Sequence, residues 1–340
     1  MNRHVTPRST LAATASGADL DVHGRYFADR ARRFLVTGSS GLVGTALTAH
    51  LSAAGHQVTR LLRGPARSTD PRRASSESWD PGRGHLDPES VSGYDAVVHL
   101  AGAGIADGQW SPARKKLIRD SRVDGTHLLA RSLAAAPIPP PVLVCASAVG
   151  FYGDRGDVEV DEASAVGSGF LAETAREWEE AARPAVGAGI RVVHLRIGIV
   201  LTPAGGALAR ILPPYRMGLG GPLGNGRQFW SWIALNDLLG VVMHSAATKE
   251  LVGPVNAVSP EPVRNSEFSA TLARVLRRPA VFRVPARVLQ LLLGEMADEM
   301  LLGSTRVRPT RLIESGFDYD YPVLEDALRH LLSRTSEVAG

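Results

Sequence analysis

The segment Thr37-Gly38-Ser39-Ser40-Gly41-Leu42-Val43-Gly44 constrains this chain more than any other. It spaces glycines as G-x-x-G-x-x-G directly after Phe34-Leu35-Val36, an apolar run that reads as a short buried strand. Beyond it Leu42, Val43, Ala46, Leu47, His50, Leu51 and Ala54 recur at helical spacing until Gly55 closes the helix. In a strand–turn–helix unit the first glycine permits the tight turn. The second lets backbone amides approach a diphosphate, and the third lets helix and strand pack closely. The amides that open the helix then face negative charge. The segment therefore reads as a dinucleotide site, with Gly38, Ser39, Ser40, Gly41, Leu42, Val43 and Gly44 against the coenzyme.

The pattern that follows suits such a site. Strands are expected at Gln57–Leu62, Ala96–Leu100, Val142–Ser147 and Val192–Ile197, with a further one ending at Trp79-Asp80. Helices are expected over about Pro112–Ala134 and Leu171–Val186. The strands are nearly all apolar, as a sheet covered on both faces requires. Alternation of this kind predicts an α/β fold, a Rossmann doubly wound parallel sheet. After Gly198 the pattern changes. Residues 203–230 are rich in Gly and Pro, with one short helix at about Ala207–Leu212, and helices follow at 237–247 and 266–277. An apolar helix runs from Pro285 to about Leu302, broken at Gly294, and is expected in the core or at a subunit contact. The predicted organisation is a Rossmann domain over 32–202 with a return segment 236–258. A smaller C-terminal α/β substrate lobe is formed by 203–235 and 259–335.

Composition excludes several classes. At 340 residues and 44% hydrophobic content the chain has ample material for a core, and no apolar run approaches the length of a membrane span. Cys145 is the only cysteine, and the ten histidines form no HxH or HxxxH pair, so neither a disulfide scaffold nor a metal site is expected. The net charge of +4 is concentrated in residues 1–33, where six arginines face three aspartates. A basic folded face for nucleic acid is therefore not expected. Residues 1–31 read as a disordered basic leader without the apolar core of a secretory signal, which points to the cytoplasm; an organelle transit peptide is the weaker alternative.

The second strand indicates which dinucleotide. Residues 45–69 contain no acid, so the carboxylate that usually accepts from an NAD ribose is missing. The strand ends at Arg63 instead, with Arg60 and Arg67 nearby, and an arginine there suits a 2′-phosphate. NADP(H) is favoured, with NAD(H) as the second option. Leu100, Ala101 and Gly102 end the fourth strand, where a small residue lets the coenzyme lie against the strand end. Trp79-Asp80 would flank the adenine, while His99 and Cys145 read as packed strand residues.

These motifs resemble the short-chain dehydrogenase/reductase superfamily in its extended, epimerase-like branch. The matching stretches are TGSSGLVG (37–44), HLAG (99–102), SAVGFYG (147–153), LRIGIVL (195–201) and SWIALNDL (231–238). DSRVDGT (120–126), WEEAA (178–182), GLGGPLGNGRQ (218–228) and the segment 291–322 are more specifically similar to the epimerase family protein group. The resemblance runs from about 32 to 335, and residues 19–33 resemble a linker that joins an additional N-terminal domain in longer members. It implies an NADP(H)-dependent oxidoreductase or epimerase acting on a small molecule, with neither nucleic acid nor membrane as partner; a homodimer stays open.

The resemblance also implies roles. Ser147 stands where the superfamily places its catalytic serine, and Arg122 faces the coenzyme region, where it would hold an anion; a helix-surface charge is the equal alternative. Gln228 and Trp232 would build the substrate wall, and Asp237 would cap a helix. One part is missing. The superfamily's Tyr-x-x-x-Lys should fall near Ala172 and Arg176, yet lysines occur only at 115, 116 and 249, preceded four residues earlier by Ser111, Pro112 and Ser245. Tyr152 is the first substitute for the proton donor, and Glu173 the second. The missing pair also supports a rival reading, a non-catalytic NADP-binding sensor or scaffold.

Overall fold

The computed structural model describes residues 26–27, 29–64 and 75–337. The expected leader over 1–31 lies almost wholly outside these residues, as does Arg67. Seven parallel strands form the main sheet: β1 (Arg33–Thr37), β2 (Gln57–Arg63), β3 (Ser75–Trp79), β4 (Ala96–His99), β5 (Val142–Ala148), β6 (Arg191–Ile197) and β7 (Gly253–Ala257). Their order is β3-β2-β1-β4-β5-β6-β7. The chain therefore builds outward from β1 to β3, then crosses back to place β4 on β1's other side. That reversal leaves a crevice at the carboxyl ends of β1 and β4, where ligands bind in sheets of this kind.

The apolar strands have cores on both faces. Phe34 and Val36 pack with Leu47 and Leu51 of α1 (Leu42–Ala53) and with Leu238 and Val242 of α6 (Leu235–Ala247), while Leu35 points the other way onto Leu129 and Leu133 of α2 (Pro112–Ala134). All these side chains are fully buried. The Ser111 side chain accepts from Arg114 N–H and Pro112 fills the first helical position, which fixes where α2 begins. A second core gathers Leu208 and Leu212 of α5 (Gly206–Arg216), Trp230, Trp232, Phe268 and Leu272 of α7 (Asn265–Leu276), and Leu328 of the C-terminal helix Leu324–Glu337.

Three helices differ from the sequence expectation. The helix expected over Leu171–Val186 is two, α3 (Phe170–Glu180) and α4 (Arg183–Gly187), because Pro184 cannot supply an interior N–H. The helix expected to stop at Leu212 continues to Arg216 through Pro213 and Pro214. Tyr215 anchors that extra turn, its buried hydroxyl donating to Ser269 Oγ at 2.7 Å. The apolar helix after Pro285 is not core: α8 (Ala286–Leu293) buries Leu289 but leaves Leu291 and Leu292 exposed, and Gly294 ends it at a positive φ of 59°. Asp237 is also corrected. Ala234 caps α6, and Asp237, one turn inside, is buried with its carboxylate accepting from the N–H groups of Asp320 (2.8 Å) and Tyr321 (3.1 Å).

The C-terminal segment reaches back to the sheet domain at a helix end. Glu299 accepts from the N–H groups of Phe170 and Leu171, each at 2.8 Å, and so caps α3, whose own N-cap residue is Gly169.

Candidate functional site

The glycine turn sits at the end of β1. Gly38 has φ +66°, and a Cβ there would stand 2.5 Å from the carbonyl carbon of Leu100, so turn and β4 end touch backbone to backbone. Gly41 caps α1 without a side chain, and the helix's first turn carries no acid. Its amides are therefore free of a competing local carboxylate. Gly38, Ser39, Ser40 and Gly41 share a cavity of about 190 Å³ with Leu61, Leu62, Arg63, Trp79, Leu100, Ala101 and Gly102. The structure thus brings most of the expected coenzyme residues to one place. Arg63 is exposed at the cavity's edge. Arg60 turns to the glycine turn itself, donating to Ser39 Oγ at 3.0 Å and to the Ser39 carbonyl at 3.3 Å.

Arg122 lies behind Gly102, one of the cavity's lining residues. It is buried, stacks 5.0 Å over Trp178 and donates to the carbonyls of Ala103 and Ile118. Its guanidinium carbon would lie 3.3 Å from a Cβ on Gly102. Among the described residues no carboxylate pairs with it, and burial pulls its pKa down to about 10. A buried cation lacking a counterion is the condition an anionic ligand would relieve.

His99 is a core residue. Its ring bonds Thr37 Oγ1 at 2.7 Å and Thr126 Oγ1 at 2.9 Å, and burial lowers its pKa to about 4, so it stays neutral. The Cys145 thiol is buried and its pKa is pushed up, chiefly by burial.

Ser147 ends β5. The register pairs it with Arg196 on β6, while on its other side β4 stops at His99, opposite Cys145. The Ser147 hydroxyl donates to Glu179 Oε1 at 2.7 Å. Glu179 also takes two bonds from Arg196, from Nε at 2.8 Å and Nη2 at 2.9 Å, and Arg196 Nη1 donates to the Tyr152 hydroxyl at 2.9 Å. Tyr152 in turn donates to Asn256 Oδ1 at 2.7 Å. Tyr152 is fully buried, its only proton is held by Asn256, and burial raises its pKa to about 12 against the opposing charge of Arg196. These facts argue against the proton-donor role expected for it. Glu173 is exposed on α3, and Arg176 pairs with Glu180 on the surface.

Two further expectations are corrected. Trp232 is fully buried in the second core, its indole N–H donating to the Glu261 carbonyl at 3.0 Å. Gln228 is buried too, and its amide clamps the carbonyls of Leu223 (3.2 Å) and Leu301 (2.9 Å). Both hold the lobe together rather than face a cleft. Glu179 and Asn256 are the residues that sequence reasoning missed. Glu179 carried one usable signal: it follows Ala172 and Ala175 at helical spacing, and both of those are buried.

A seven-stranded parallel sheet with a glycine-rich turn at its switch point defines a Rossmann-type α/β protein. The chain belongs to the NAD dependent epimerase/dehydratase family, which it matches over residues 34–256, and a domain of unknown function (DUF1731) matches 284–331. It is 42% identical over 299 residues to an epimerase family protein of Mycobacterium tuberculosis, covering 88% of this chain and 97% of that one. The crystal structure of human epimerase family protein SDR39U1 with NADPH superposes with a TM-score of 0.81 at 36% identity, over 88% of this chain and 99% of the human one. A nucleoside-diphosphate sugar epimerase from Corynebacterium glutamicum gives a TM-score of 0.73 at 32% identity, over 95% of this chain and 64% of its own.

Proposed function

We propose that this protein is an NADP(H)-dependent oxidoreductase or epimerase for a small molecule, working without a Tyr-x-x-x-Lys pair. The observation that carries the reading is the cavity joining the glycine turn to Arg63 and Gly102, with Arg122 buried and uncompensated behind Gly102. The residues fit a phosphorylated dinucleotide. Gly38–Gly44 offer amides to the diphosphate, Arg63 suits the 2′-phosphate, and Leu100–Gly102 give the ring a flat bed. The NADPH in the human SDR39U1 structure supports the choice of coenzyme.

Such a coenzyme supplies reversible hydride transfer. The chain's own part is to hold substrate and proton, and Ser147 with Glu179 is the best-placed pair for it. Because the single Ser147 proton goes to Glu179, Ser147 Oγ is left to accept from a ligand hydroxyl, and the proton path runs from that hydroxyl through Ser147 to Glu179. The test is direct titration of NADPH and NADH by fluorescence, followed by a 340 nm assay over carbonyls, secondary alcohols and sugar nucleotides. Turnover that is lost in Ser147→Ala and retained in Ser147→Thr supports the enzyme. The commitment of Tyr152 to Asn256 favours the rival, a sensor or scaffold, and tight NADPH binding without turnover across the panel would select it.

A further inference from the structure

We infer that Lys115 is a recognition point for an anionic group, a carboxylate or phosphate, on the small molecule that enters between the lobes. The inference rests on the reading above, that this molecule reacts beside Ser147.

Only three of the 38 basic residues are lysines, and Lys115 is the one built into an aromatic corner. Its ammonium lies 5.0 Å from the ring centre of Phe170 and 6.0 Å from that of Trp110, and the two rings meet edge to face at 5.1 Å. Ring faces hold a cation in place without neutralising it. The corner borders the reacting region: Leu171, next to Phe170, has its Cβ 3.2 Å from where a Cβ on Gly150 would be, and Gly150 lies three residues past Ser147.

The counterion is exchangeable. Lys115 pairs with Glu295, a residue from the other lobe whose side chain is 44% exposed. Among the described residues the ammonium has no other polar partner, so two of its three N–H donors stay available. The surroundings also carry surplus positive charge. Lys115, Arg114, Arg122 and Arg210 all reach the loop 103–110, where among the described residues only Asp107 and Glu295 answer them. Arg114 keeps a buried Nε–H with no acceptor. Glu295 thus occupies the place of a substrate anion, and the incoming group displaces it.

The experiment is calorimetric titration of the NADPH-saturated protein with inorganic phosphate and, separately, with malonate. Glu295→Gln should bind the preferred anion at least tenfold more tightly than wild type, and Lys115→Met should lose that binding. Both side chains sit in a partly exposed pair, so neither change should lower the melting temperature appreciably. The two anions separate phosphate from carboxylate recognition. An anion affinity unchanged in Lys115→Met, a weaker one in Glu295→Gln, or no binding to any variant would overturn the assignment and leave Lys115–Glu295 a plain tie between lobes. Failure to take up NADPH would instead sink the coenzyme reading, and the Lys115 dependence would then be read on the bare protein.

Discussion

The carbonyl oxygen of Gly38 stands 2.2 Å from where a Cβ on Gly44 would sit. The first and last glycines of the turn therefore touch through the space a side chain would need. No flexible neighbour can yield, since the nearest atoms are backbone. Gly44→Ala should cost about 1–3 kcal/mol by overpacking, and should remove dinucleotide binding by moving α1 off the turn. Urea denaturation with an NADPH titration measures both. A variant as stable and as competent as wild type would show that the turn is looser than described.

Arg63 is exposed, and among the described residues its side chain makes no hydrogen bond or ion pair that its removal would break, so Arg63→Ala should fold normally. Loss of one charge-assisted contact to a 2′-phosphate predicts a drop of about 10- to 100-fold in NADPH affinity. NADH affinity should hardly move. Equal losses for the two coenzymes would refute Arg63 as the selecting residue.

Tyr152→Phe removes one hydroxyl from the buried chain Arg196–Tyr152–Asn256. Leaving those partners unsatisfied should cost about 1–3 kcal/mol of stability while coenzyme affinity is kept. Tyr152 then acts as a strut. An unchanged melting temperature combined with abolished turnover would reinstate it as the proton donor.

Acid should weaken the fold through His99. Its folded pKa of about 4 lies below the ordinary value of 6.5, so the stability it contributes is complete above 6.5 and lost as pH falls toward 4. The gap corresponds to about 3 kcal/mol for a group fully out of water. Asp237 works oppositely: burial raises its pKa to about 7, and its share of stability is lost as pH rises from about 4 through 7. His99→Gln should therefore flatten the acid side of a stability profile, and Asp237→Asn should steepen it. Denaturation midpoints between pH 4.5 and 8.5 give the comparison. Parallel curves for wild type and His99→Gln would exclude the histidine as the cause.

Sheet and glycine turn were legible because their determinants are local. Phe34 to Val36, the turn to Gly44 and the helix beyond are contiguous, and strand periodicity needs no knowledge of partners. The position of Arg63 at the end of β2 was legible for the same reason. Burial across long separations was not. Trp232 and Gln228 lie in or just after a glycine-rich stretch that reads as a cleft wall; the packing of α5, α7 and the C-terminal helix buries Trp232, and the carbonyls of Leu223 and Leu301 hold Gln228 inside. Tyr152 meets Asn256 across 104 residues. Glu179 looks like any helical glutamate until Arg196 and Ser147, neighbours on adjacent strands, converge on it.

The Glu299 cap on α3 bears on how such chains diversify. The helix that flanks Ser147 borrows its terminal anion from the far end of the polypeptide. A truncation, splice variant or gene fusion that drops the C-terminal segment would leave the opening N–H groups of α3 without that partner. Lineages that keep the front half working are thus expected to inherit the back half with it, however freely the chemistry between them drifts.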